Sequence, residues 1–311
     1  MVSLGLETGG EMETTALFGE IAAVLTAVCW SFGSLLFTSA GRRIGSVAVN
    51  QIRLWFALAF LLIIHFIVFG IPFPVHAGNP AFFWLGLSGF VGYVLGDAML
   101  FESFVLIGPR LAMLLMTLVP IFSSILGYFF LGESLNAVEI IAVLGTVGAI
   151  GWVVAEPKPE NSTPHSHYAM GVLMGVGGAM GQALGLLFAK NGLAGGLSPI
   201  SANLIRVSAA ALVIGLISAF RGKLMGYFRR LKQRPVLVQL LGASFLGPVL
   251  GVVLSLAAIA YTRIGIASTL MSLSPLFLIP LSCLFFKERV SPRAIIGTAV
   301  AFVTSALLFF Y

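Results

Sequence analysis

The chain has 311 residues, 59% of them hydrophobic and 9% charged, with a mean hydropathy of +1.07. So few charges cannot cover a soluble domain of this length, and an apolar surface facing lipid is what the composition implies. The formal charge of +6 does not indicate nucleic acid, because the basic residues lie in short segments between apolar runs rather than on one folded face.

Backbone amides in hydrocarbon must be bonded internally, so the spanning structure is a helix or a closed barrel. Barrel strands alternate apolar and polar residues, whereas Leu54 to Ile64 is apolar without a break. The expected fold class is therefore all-α integral membrane.

The N-terminal tail, residues 1–16, carries Glu7, Glu11 and Glu13 and no Lys or Arg, unlike the basic start of a signal peptide. Apolar runs between Gly, Pro and charge clusters then give ten transmembrane spans, at 17–39, 47–69, 81–106, 111–131, 137–155, 169–189, 199–219, 236–260, 266–286 and 292–311. The polar stretch Glu156 to His167, with three prolines, ends span five and divides the chain into a first five-helix repeat (17–155), a linker (156–168) and a second repeat (169–311). Cys29 and Cys283 fall inside spans and read as small core residues. His165 and His167 in the linker lack companions for a zinc site, and nothing calls for a metal or another cofactor.

The halves match at an offset of 155: Gly96 with Gly251, Ala112 with Ala267, Leu115 and Met116 with Leu270 and Met271, Pro120 with Pro275, Phe130 with Phe285, Glu133 with Glu288, and Ile140 and Ile141 with Ile295 and Ile296. N-x-I-R also recurs, as Asn50, Ile52, Arg53 and as Asn203, Ile205, Arg206. Five spans per half is an odd number, so the second half enters from the opposite face and the repeats are inverted. That architecture belongs to secondary transporters, with the substrate between the halves near the midplane.

The run GDAMLFESFVLIGPRLAMLLMTLVPIFSSILGYFFLGE, from Gly96 to Glu133, and its second copy from Gly251 to Glu288 resemble the EamA-type domain of the drug/metabolite transporter superfamily. The resemblance covers nearly the whole chain. It implies ten helices around a central cavity and carriage of amino acids, related metabolites or drugs.

Thirteen loop Lys and Arg follow the odd-numbered spans, and only Lys190 and Arg263 lie on the other face. The positive-inside rule then places both termini outside, against the orientation usual for the family. Between Arg221 and Arg234, bases alternate with Leu224, Met225, Phe228 and Leu231, a pattern for lying among anionic headgroups or for a solvated topogenic loop.

Charges inside spans are costly and mark candidate sites. They are Arg53, Asp97, Glu102 and Arg206. Arg53 and Asp97 lie roughly 9 and 13 Å deep from one face, within reach of each other. At the 155 offset Asp97 becomes Val252, so Arg206 has no carboxylate of its own and is a candidate for a substrate's. Trp30, Ser31, Tyr93 and Gln182 are the further substrate-binding or coupling candidates. Pro120 and Pro275 each remove a helix hydrogen bond at matched mid-span positions and are the gating candidates. Glu20, Glu133, Glu139 and His65 lie near span ends, where water reaches them.

No phosphate-binding glycine loop, nucleophile elbow or HExxH occurs, which speaks against an ATP-driven pump and most membrane hydrolases. The expected function is therefore a non-enzymatic secondary transporter, an exporter of amino acids or related small metabolites in the inner membrane. A carrier of hydrophobic drugs or lipid-linked molecules is the alternative within transport; a membrane enzyme or scaffold is the alternative outside it. The partners expected are a small-molecule substrate and the lipid bilayer, with no nucleic acid. Oligomeric state is not legible.

Overall fold

In the computed structural model the described residues are 4–131, 137–155, 165–193, 195–261, 267, 270–286 and 290–307. Among them the chain is helical throughout, with no strand. The first half comprises α1 (Leu4–Ile44), α2 (Ser46–Phe69), α3 (Asn79–Gly89), α4 (Asp97–Ile107), α5 (Pro109–Leu115), α6 (Leu118–Leu131) and α7 (Ala137–Val154). The second comprises α8 (His165–Leu193), α9 (Pro199–Phe220), the short α10 (Leu224–Arg229), α11 (Arg234–Ser244), α12 (Val252–Tyr261), α13 (Ser274–Phe286) and α14 (Pro292–Leu307).

Among the described residues six helical stretches are long and apolar enough to cross a bilayer, and four shorter apolar helices occupy the places of spans four, five, nine and ten. Two starts differ from expectation: α1 is already helical at Leu4, and α8 begins at His165, four residues before the expected span. Glu133, Glu288 and most of the linker lie outside the described residues. Large side chains such as Ile67, Leu144, Phe220 and Leu284 project outward, as a lipid-facing surface requires. Cys283 is among the outward ones, so of the two cysteines only Cys29 is a core residue.

The halves interlock as inverted repeats. The first helix of each half packs on the third span of the other: α1 lies along α11 and α12, and α8 lies along α3 and α4. Helices α2 and α9 pair at the centre, and α7 pairs with α14. Glycines on α8 make this possible, because a Cβ on Gly171, Gly175, Gly177 or Gly181 would come within 2.3–2.6 Å of Ile107, Leu115, Met99 or Gly96.

The α2–α9 seam is bonded at both ends. Gln51 and Ser218 are 2.6 Å apart at one. At the other, His65 Nδ1 donates to the Ile71 carbonyl (2.7 Å) and its Nε2 meets Ser201 Oγ at 2.9 Å. His65 is therefore a buried tie between helices, not a water-exposed end residue: the chain turning at Ile71 supplies the carbonyl that holds it.

A π-helical segment interrupts the third span of each half, at Phe90–Gly96 and Phe245–Gly251. The two share the pattern F-x-G-x-V-L-G at the 155 offset. Each widened turn leaves a carbonyl for a neighbouring helix to bond. Asn50 Nδ2 donates to the Tyr93 carbonyl (3.2 Å) and Asn203 Nδ2 to the Pro248 carbonyl (2.7 Å). The asparagines of the repeated N-x-I-R thus fasten α2 and α9 to the π segments and set the neighbouring arginines beside them.

Candidate functional site: a central cavity between the halves

Arg53 and Asp97 form an ion pair through Nη2 and Oδ2, with both side chains fully buried. Arg53 Nε also donates to Asn50 Oδ1 at 3.0 Å, and its guanidinium carbon stands 4.6 Å from the centre of the Phe101 ring. The second carboxylate oxygen accepts from Gln182 Nε2 of α8, so Asp97 ties α2, α4 and α8 together. Glu102, the rival carboxylate, instead accepts from Ser46 Oγ.

Arg206 takes the equivalent place on α9, but its neighbours differ. Val252 stands where the first half has Asp97, and Trp30 lies against Gly251 much as α8 lies against Gly96. Its guanidinium carbon lies 4.8 Å from the Tyr93 ring centre, and Arg53 lies 5.6 Å from the same ring. One aromatic face system thus serves two cations, and the Tyr93 hydroxyl donates to Asn203 Oδ1 at 2.8 Å. Among the described residues Arg206 has no salt bridge, and its buried Nε has no hydrogen-bond partner.

That guanidinium borders a cavity of ≈ 160 Å³ between the halves. Of the expected site residues, Trp30, Tyr93, Gln182, Arg206, Pro120 and Pro275 line it. Arg53 and Asp97 stand behind Gln182 and Tyr93 and do not line it. Ser31 does not reach it either; its hydroxyl donates to the carbonyls of Ala27 (2.7 Å) and Ser274 (3.0 Å), joining α1 to α13. Tyr261 is half exposed and packs edge-on against Phe18.

Pro120 sits just beyond a local tightening of its helix, and Pro275 sits within one. Thr117 N bonds the Leu114 carbonyl (3.1 Å) and Val119 N the Met116 carbonyl (3.0 Å), three residues back rather than four. In the second half Leu273 N bonds the Leu270 carbonyl (3.2 Å) and Leu276 N the Leu273 carbonyl (2.9 Å). Each proline lacks the N–H that would bond four residues back, and the turn around it is tighter. Met116, Thr117, Met271 and Ser272 at these bends face the cavity, and none was singled out from the sequence as a site residue. The matched Met116 and Met271, four residues before the matched prolines, were the signal for them.

Three phenylalanines pack together toward the base-rich ends of α1 and α4. Phe37 of α1 packs on Phe101 of α4 (ring centres 4.9 Å), and Phe101 on Phe104 (5.6 Å). The pseudo-equivalent helices α8 and α12 have no comparable packed seam among the described residues.

Comparison with known proteins places this architecture. One solved structure, described as "Crystal structure of protein", superposes with a TM-score of 0.63 over 95% of this chain and 96% of its own, at 16% identity. That likeness shows the fold alone. Among individually curated proteins no significant match is found. The model of the EamA-like transporter family matches twice, over residues 17–155 and 169–310. The two matches take up nearly the whole chain, one on each of the interlocked halves: the protein belongs to the EamA-like transporter family and is a multi-pass membrane transporter of the drug/metabolite type.

Proposed function

We propose that the protein is a ten-span secondary carrier that works by alternating access, exporting an amino acid or related small metabolite whose carboxylate binds Arg206. Its repeats run over residues 17–155 and 169–311, joined by the linker at 156–168. The observation that carries the reading is Arg206 at the wall of the central cavity, with its buried Nε unbonded and no salt bridge to it among the described residues. A buried cation without a counter-charge costs several kcal/mol, which a bound carboxylate offsets.

The phenylalanine packing on one side only supports alternating access, since an inverted repeat can exchange which pair of helices closes. The bends at Pro120 and Pro275 are the hinges of that exchange. The Arg53–Asp97–Gln182 cluster joins three helices across both halves, which suits a coupling role for Asp97. The base-rich face is cytoplasmic and the termini are outside, in the inner membrane. Helix α10 and the turn Arg230–Lys232 lie at the cytoplasmic headgroups, with Met225 exposed and Arg229 and Lys232 available to anionic lipid.

A panel of carboxylate metabolites in a thermal-shift assay on purified protein tests the reading. A ligand at a hundred times its Kd stabilises the folded form by about 2.7 kcal/mol. The reading requires at least one stabilising carboxylate whose effect disappears in Arg206→Gln; stabilisation only by neutral or cationic compounds would overturn it.

A further inference from the structure

We infer that the cavity selects a singly charged carboxylate with an apolar body over a zwitterion of the same skeleton. The inference rests on the assignment of the substrate carboxylate to Arg206 and narrows it: the substrate is the monoacid relative of a hydrophobic amino acid, not the amino acid itself.

The first ground is what an ammonium group would meet. Of the chain's 11 Asp and Glu, only Asp97 and Glu102 lie in the interior of a span. Both oxygens of Asp97 are taken, one by Arg53 and one by Gln182, and the side chain is fully buried. Glu102 accepts from Ser46 and does not border the cavity. Among the described residues no carboxylate borders the cavity to receive a substrate amine, and hydroxyls such as Thr26 and Ser255 offer dipoles only.

The second ground is the charge already present. Arg53, Arg206 and Asp97 form a buried cluster carrying one net positive charge. A monoanion neutralises it. A zwitterion leaves the net charge in place and adds an ammonium group to a positive surrounding.

The third ground is the rest of the lining. Leu100, Met113, Met116, Leu186, Val252 and Met271 form an apolar, adaptable wall. At ≈ 160 Å³ the space resembles the cavity of about 150 Å³ that accepts benzene, which suits a branched or aromatic body of about six carbons.

Three ligands of one skeleton test this on purified protein in nanodiscs at pH 7.4, by calorimetry: 4-methylpentanoate, leucine and 3-methylbutylamine. The first has the carboxylate alone, the second both groups, the third the amine alone. We expect 4-methylpentanoate to bind at least about tenfold tighter than leucine, and the amine not to bind. The preference is lost in Arg206→Gln and partly kept in Arg206→Lys, each first checked for a native elution profile. Leucine binding as tightly as 4-methylpentanoate would overturn the selectivity while leaving the carboxylate at Arg206. Binding of the amine alone, or of none of the three, would overturn both. An acid preference unchanged in a folded Arg206→Gln would move the site elsewhere and also refute the inference.

Discussion

The Arg53–Asp97 pair sets the sharpest energetic expectation. Both side chains are fully buried and in direct contact, so at an effective dielectric near 20 their attraction is about 4 kcal/mol. Asp97→Asn removes the anion but leaves Arg53 its bond to Asn50 and its place over Phe101, for an expected loss of about 3 kcal/mol. Arg53→Gln strands a buried carboxylate with Gln182 as its remaining partner, for a loss of about 4 kcal/mol. The double variant leaves no charge unpaired at this position and should lose about 4 kcal/mol, not 7, a coupling near 3 kcal/mol. Equilibrium unfolding in mixed micelles measures all four proteins. Additivity within about 0.5 kcal/mol would show that the two charges do not depend on each other and refute the pairing. If Asp97 also couples transport, the folded double variant exchanges substrate yet fails to move it against a gradient; full gradient-driven transport by Asp97→Asn ends that role.

Three more outcomes follow from the geometry. A Cβ at Gly89 would lie 2.1 Å from the Arg206 carbonyl oxygen, so Gly89→Ala should separate α3 from α9 and cost about 1–3 kcal/mol, whereas Gly148→Ala, with open space around it, should be neutral or slightly stabilising in the same unfolding assay. Pro120→Ala and Pro275→Ala should slow substrate exchange in proteoliposomes with modest loss of folded protein; unchanged rates in both would remove the hinge role. In a variant lacking Cys29 and Cys283, Gly5→Cys should react with an impermeant thiol reagent in intact cells and Gly226→Cys should be protected, and the reverse pattern would invert the orientation.

The helical class, the repeat and the family were legible because apolar length, proline placement and the 155-residue offset are properties of the chain alone. Depth arithmetic brought Arg53 and Asp97 together for the same reason: both count residues from a common face. The π segments were not legible, since F-x-G-x-V-L-G looks like ordinary apolar helix until a widened turn exposes a carbonyl and an asparagine from another helix answers it. Ser31 misled because a hydroxyl beside Trp30 points one way or the other by helix rotation, and here it bonds α13. His65 misled because the carbonyl that holds it belongs to the turn after its own helix. Gln182 was found as a polar residue in a span, yet its bond to Asp97 across the halves needed the fold.

Solute counterflow in proteoliposomes tests the central claim most directly. Vesicles preloaded with an unlabelled small carboxylate are diluted into the labelled compound, and only a carrier with a binding site accumulates the label transiently. The account predicts accumulation by the native protein and none by a folded Arg206→Gln, with Arg206→Lys between them. Equal accumulation by native protein and Arg206→Gln, or no counterflow with any carboxylate, would contradict it.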